Sequence, residues 1–178
     1  MHKFYVFDED IKNQSVIDFI DNLQATPADL QELTIYFCTN GGIVYGAFVM
    51  ADFIIKLAES GVKVNIIVLE YCYSSGLFFL MHLFKAKQKN VNLLLNFSFL
   101  TRSYGLFHEI EVSLSTRNDK PMFATYMEDL KDRNETALKF FKKYMTKDDI
   151  SNFRKGGDVY FDSEKLCKIF GGTKIEAV

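Results

Sequence analysis

Hydrophobic and polar positions along the chain fall into two rhythms, one near two residues and one near three and a half. "KFYVF" (Lys3 to Phe7) reads as a short strand, and "NQSVIDFIDNLQA" sets Val16, Ile17, Ile20 and Leu23 at helical spacing. "ELTIYFCT" is apolar enough for a buried strand and stops at "NGG". Helical periodicity resumes through "AFVMADFIIKLAESG", with Gly61 placed to end it. "VKVNIIVLE" is a second buried strand, and "SSGLFFLMHLFKAK" a helix with Ser74 near its start. "VNLLLNFSFL" and "YGLFHEIEVSLS" are strand-like. A charged amphipathic helix is predicted from about Met122 to Tyr144. "TKDDISNF" begins another, with Thr146 as N-cap and Asp149 three residues on. "DVYF" is a short strand, and "DSEKLCKIF" a helix ending at Gly171 and Gly172. Strand–helix–strand units with near-continuous apolar strands predict an α/β fold with a largely parallel sheet under helices. The late polar helix adds nothing to such a sheet and suits an oligomer contact.

The 178 residues fit one domain with a real core. A net charge of −2 with 25% charged residues is neither a nucleic-acid binder's balance nor a disordered tail's. Eighteen phenylalanines and no tryptophan read as composition, not function. Cys38, Cys72 and Cys167 lie in or beside apolar segments without CxxC spacing. Reduced core thiols are expected, with no disulfide framework, metal site or cofactor. The N-terminus turns acidic after its first apolar run, unlike a signal peptide. The most apolar stretch, Leu77 to Phe84, is too short to span a bilayer and is followed by "KAKQK". A soluble, cytoplasmic protein is expected, with neither membrane nor nucleic acid among its partners.

Four places can carry chemistry. In "CTNGGIVYGA" paired glycines follow a strand and precede a helix, so backbone N–H groups there can approach a ligand closely. A tight turn explains the same pattern, and neither a Walker loop nor a dinucleotide fingerprint is present. In "YSSG" a serine stands where a strand gives way to a helix, beside helix N-terminal N–H groups that favour developing negative charge. An N-capping serine is the ordinary reading of that position. "YGLFHEI" ends an apolar run in His108, and "KGGDVYF" puts Asp158 after a glycine pair; an edge histidine and a turn aspartate explain these equally well. His2 is terminal, and His82, in "FLMHLF", reads as a packed core histidine.

Together these sites supply glycine amides, nucleophile, base and orienting acid in the order Gly, Ser, His, Asp. In that order the chain resembles the proteolytic subunit of the Clp protease, ClpP, within the ClpP/crotonase fold. "IYFCTNGGIVYGAFVMADFI" is similar to the family's strand, "NSPGG" turn and helix. "YSSGLFFL" resembles "ASMGAFLL", whose nucleophile has glycine two residues later. "SYGLFHE" resembles "SRVMIHQ", and "DVYFDSEKLCKIFG" the segment opening with the catalytic aspartate. Cys72 and Tyr73 replace small residues, "CTNGG" lacks the proline, and the interval from Ser74 to His108 is longer.

The resemblance implies repeated ββα units with a mostly parallel sheet, plus a protruding handle helix within residues 110–155. It implies a serine endopeptidase with Ser74 as nucleophile, His108 as base and Asp158 as orienting acid. The oxyanion hole would be the N–H groups of Gly42 and Ser75. An extended peptide or unfolded-protein substrate would lie between Gly41, Gly42, Ile43 and Val44 on one side and Glu109, Ile110 and on to Val112 on the other. A ring oligomer, stacked through the handle, is expected, with an AAA+ unfoldase as a candidate partner. The chain opens at its first strand, so the axial loops that dock that partner are expected to be absent or very short. Two other readings stand beside it: a non-catalytic ClpP-like subunit or scaffold, and a crotonase-type acyl-CoA enzyme. For the last, two carboxylates placed for proton transfer on a thioester are not evident.

Overall fold

The computed structural model describes residues 1–25, 28–110 and 120–176, the side chains of 120–127 excepted. In chain order the elements are β1 (His2–Asp8), α1 (Asn13–Gln24), β2 (Glu32–Thr39), α2 (Val44–Glu59), β3 (Lys63–Tyr73), α3 (Ser75–Lys89), β4 (Leu95–Leu100) and β5 (Tyr104–Phe107). Then come α4 (Lys120–Phe141), α5 (Lys147–Phe153), β6 (Val159–Asp162), α6 (Ser163–Phe170) and β7 (Thr173–Ile175). These residues form two compact units, Met1–Phe107 with Tyr160–Val178, and His108–Val159.

In the first unit the strands lie in the order β1-β2-β3-β4-β7, every neighbouring pair parallel. Parallel neighbours require a crossover, and α1, α2 and α3 each supply one. The register stacks apolar residues in rows. Phe7 pairs Phe37, Phe37 pairs Val68, and Val68 pairs Phe99, all fully buried. The phenylalanine excess is spent here: Phe37 stacks on Phe7 at 5.4 Å and on Phe79 of α3 at 4.6 Å. The face away from these rows keeps Phe4 and Val6 of β1 more than half exposed. No helix among the described residues is long and apolar enough to cross a membrane.

Three expectations are corrected. The buried face of α1 is Ser15, Val16, Phe19 and Leu23, while Ile17 is half exposed. That helix has more apolar residues than one face can bury, and the packing selects Phe19, edge-on to Phe7. The "YGLFHEIEVSLS" strand ends at Phe107; His108–Ile110 are irregular, and residues 111–119, including Val112, lie outside the described residues. β7, which no apolar run announces, pairs Ser98–Leu100 through Thr173–Ile175.

In the second unit α4 leads through a short 3₁₀ turn to α5. Thr146 and Asp149 form the reciprocal cap read from the sequence, each side chain bonding the other's backbone N–H. Asn134 of α4, nearly buried, holds Ile110: its Oδ1 accepts from the Ile110 N–H at 2.8 Å and its Nδ2 donates to the Ile110 carbonyl at 3.5 Å.

Candidate active site

β3 changes register just before its end. Phe37 pairs Val68 but Thr39 pairs Cys72, so β3 carries extra residues over that interval, a bulge. Up to Val68 it pairs β4; from Tyr71 it pairs β5. The new ladder runs into the next residue, where the Ser74 N–H donates to the Leu106 carbonyl at 2.8 Å.

Ser74 has φ 52° and ψ −119° and is the one non-glycine residue with positive φ among the described residues. That conformation costs an L-residue about 1–3 kcal/mol. Ser74 holds the N-cap position of α3, yet its hydroxyl caps no helix amide. The true caps are different: Thr146 (φ −75°, ψ 171°) and Asp162 (φ −73°, ψ 172°) each accept a backbone N–H. Capping therefore does not account for Ser74. A sharp strand-to-helix turn that holds a serine at positive φ has the backbone geometry that nucleophile elbows use. Ser75 is wholly buried, and its hydroxyl has no hydrogen-bond partner among the described residues. Its N–H opens α3, where no intrahelical acceptor exists. Gly76 is glycine for packing: a Cβ there would lie 2.6 Å from Thr39 Cγ2 and 3.0 Å from Cys72 Sγ.

The glycine turn packs directly on this elbow. A Cβ on Gly41 would sit 2.7 Å from both Ser74 Cβ and the Tyr73 carbonyl oxygen. Gly41 and Gly42 take φ 98° and 137°. The Gly41 N–H donates to Thr39 Oγ1 at 3.0 Å. The Gly41 carbonyl accepts from the Ile11 N–H at 2.7 Å, and the Ile43 N–H donates to the Ile11 carbonyl at 2.8 Å. Gly42 is exposed, and its N–H has no hydrogen bond among the described residues. The other two turn amides are committed. Of the residues expected to line a substrate strand here, Ile43 is exposed with its N–H already bonded, and Val44 is buried as the first residue of α2.

His108, Glu109, Ile110 and Asp158 belong to the second unit. His108 is half-buried, and its Nδ1 lies 2.7 Å from the Glu109 carbonyl oxygen. A carbonyl only accepts, so Nδ1 carries a proton, and the tautomer this bond selects has its lone pair at Nε2. That is the tautomer a general base needs. Asp158 is exposed, and its own carbonyl accepts from Asn152 Nδ2 at 2.7 Å. Its carboxylate makes no hydrogen bond or ion pair among the described residues. Both backbone groups of Ile110 are taken by Asn134, and the Glu109 carbonyl is taken by His108 Nδ1.

His82 is not a core histidine. It is partly exposed, and its Nε2 lies 2.7 Å from Asp52 Oδ1. Tyr73, which stands where the resemblance expects a small residue, is on the face opposite buried Cys72 by strand alternation, with its ring 5.4 Å from that of Tyr71. Burial first, then Tyr160 and Cys38, push its phenol up from 10.0. No three His, Cys, Asp or Glu side chains among the described residues converge to hold a metal. Thr39 and Ile11 are the participants that sequence reasoning missed, because the bonds that make them matter join distant segments.

No family model and no curated protein matches the sequence. Among solved structures, an asparagine-to-aspartate mutant of ClpP1 from Listeria monocytogenes is similar with a TM-score of 0.63 at 15% identity, over 98% of this chain and 91% of that one. The chain has a ClpP-like fold, mixed α/β with a mostly parallel sheet.

Proposed function

We propose that this chain is a ClpP-like serine peptidase with Ser74 as nucleophile. The observation that carries the reading is the Ser74 elbow: a strained serine whose hydroxyl performs no capping, pressed against a glycine turn with one uncommitted amide. In the proposed mechanism His108 Nε2 takes the Ser74 proton as Oγ attacks the scissile carbonyl. The N–H groups of Gly42 and Ser75 hold the resulting oxyanion. The protonated imidazole then passes its proton to the leaving amine, and water repeats the cycle on the acyl-enzyme. Asp158 is assigned as the acid that steadies the imidazolium, in exchange for the Glu109 carbonyl that holds Nδ1 here. The substrate is an extended peptide. The functional form is a ring assembled through α4, to be checked by mass in solution.

The test is labelling by a fluorophosphonate probe beside peptide hydrolysis, in wild type and Ser74→Ala, with the oligomer checked in both. Labelling at Ser74 that Ser74→Ala abolishes is the expected result; an assembled wild type that never labels removes the reading. A second reading, a non-catalytic ClpP-like subunit, is favoured by the unbonded Asp158 carboxylate. Unlabelled rings would establish it.

A further inference from the structure

We propose that Thr39 is a positioning residue that fixes the glycine turn so that the Gly42 N–H stays presented as an oxyanion donor; this rests on the serine-peptidase reading above. Thr39 is 1% exposed and ends β2. Its hydroxyl is used on both sides. Oγ1 accepts the Gly41 N–H at 3.0 Å and donates to the Glu9 carbonyl at 2.7 Å. Its methyl fills the space beside Gly76, where an added Cβ would come within 2.6 Å. One side chain therefore ties together the loop after β1, the glycine turn and the start of α3.

The geometry explains why such a tie is needed. Gly41 and Gly42 are consecutive and both at positive φ, so the peptide between them is flanked by the two least restricted residues of the turn. In a trans peptide the Gly41 carbonyl and the Gly42 N–H point in opposite directions. With that carbonyl bonded to the Ile11 N–H, the Gly42 N–H is directed away from Ile11. Flipping the peptide would break this bond and turn a carbonyl outward, where it would repel an oxyanion. Ile11 anchors the flipping peptide itself, and Thr39 anchors the one before it.

The test compares Thr39→Val, which keeps the shape and loses the hydroxyl, with Thr39→Ser, which keeps the hydroxyl. In wild type the Gly41 amide should exchange with solvent more slowly than that of Gly42, and Thr39→Val should remove the difference. Ser74 labelling in Thr39→Val should slow on the order of ten- to a hundredfold, since ångström-scale misplacement of a catalytic group costs about that much. With a small ester substrate the loss should fall on kcat, not KM, and Thr39→Ser should restore it. Thr39→Val labelling at the wild-type rate overturns the proposal. Equal exchange at Gly41 and Gly42 in wild type also overturns it, and needs no variant to fold. If wild type fails to label while Gly41 remains protected and Thr39→Val unprotects it, the peptidase reading fails and Thr39 stands only as the anchor of the turn.

Discussion

Replacing Ser74 by alanine and by glycine measures the elbow directly, because capping and strain predict different signs. An N-cap serine replaced by alanine ordinarily costs about 1 kcal/mol, and by glycine a few tenths. Here the hydroxyl caps nothing, so Ser74→Ala has no cap to lose and keeps the strain. Its stability should stay within about 0.5 kcal/mol of wild type, as for a substitution away from any special feature. Ser74→Gly removes the Cβ that makes φ 52°, ψ −119° costly, a gain of about 1–3 kcal/mol. Against this stands the extra unfolded-state freedom of glycine, about 0.5–1 kcal/mol. The net expectation is that Ser74→Gly is more stable than wild type by about 1 kcal/mol, or roughly 2–4 °C in Tm for a chain of this size. Urea unfolding at matched oligomeric state reads the difference in midpoint, provided the slope is unchanged. Thr146→Ala and Asp162→Ala serve as controls and should each lose about 1 kcal/mol, since both side chains do cap. If Ser74→Ala loses as much as those controls and Ser74→Gly also falls below wild type, Ser74 is an ordinary cap and the argument for a nucleophile goes with it.

Three further outcomes follow from the geometry. Gly76→Ala forces a methyl into Thr39 Cγ2 and Cys72 Sγ and should cost about 1–3 kcal/mol, read as a lower Tm. Asn134→Ala leaves both backbone groups of Ile110 unpaired and should cost about 1–3 kcal/mol, with faster hydrogen exchange at the Ile110 amide; an unchanged exchange rate there would refute the clamp. The Glu32 carboxylate accepts from Lys63 first and Asn65 second, which lowers it from its ordinary 4.5. A depressed folded-state value stabilises above the unfolded one and is lost as pH falls through the folded one, so wild type should lose slightly more stability than Glu32→Gln as pH drops below 4.5. A carboxyl titration by NMR with a midpoint at or above 4.5 would contradict the assignment.

The elements that the sequence made legible are those whose apolar period was long and unbroken. β2, α3 and the capped start of α5 sit where the pattern set them. The α1 face was not legible, because Val16, Ile17, Phe19, Ile20 and Leu23 are all apolar and only tertiary packing, such as that of Phe19 edge-on to Tyr5 and Phe7, decides among them. β5 was read too long because the alternation continues past Phe107, while the ladder that defines the strand follows β3 only through Tyr73. His82 departs from its expected place for a related reason: its neighbours in sequence are apolar, but its own face of α3 meets Asp52. At the candidate site the choice of Ser74 over Ser75 rested on glycine at position 76. The physical basis of that glycine proves to be contact with Thr39 and Cys72. The bonds from Thr39 to Glu9 and from Ile11 to Gly41 and Ile43 join segments about thirty residues apart, and no local pattern encodes them.

Topology explains why these segments meet at all. β1, β2 and β3 are adjacent and parallel, so the loops that leave their C-terminal ends emerge along one edge of the sheet, where open α/β sheets place ligands. Those loops carry Ile11, the Gly41–Gly42 turn and Ser74 respectively. The positive-φ conformations at this edge are not all assigned to the same residue type. Gly41 and Gly42 are glycine, as a chain that needs only a turn requires, and a side chain on either would strike backbone. At Ser74 the backbone also asks for glycine, and the chain supplies a residue with a hydroxyl. The surroundings sustain the strain: the N–H is fixed by Leu106, and the Cβ is closed in by Gly41. A strained serine whose hydroxyl caps no helix amide, held beside an amide with no hydrogen bond among the described residues, is what the proposed peptidase chemistry would use: the hydroxyl to attack and the amide to receive the charge.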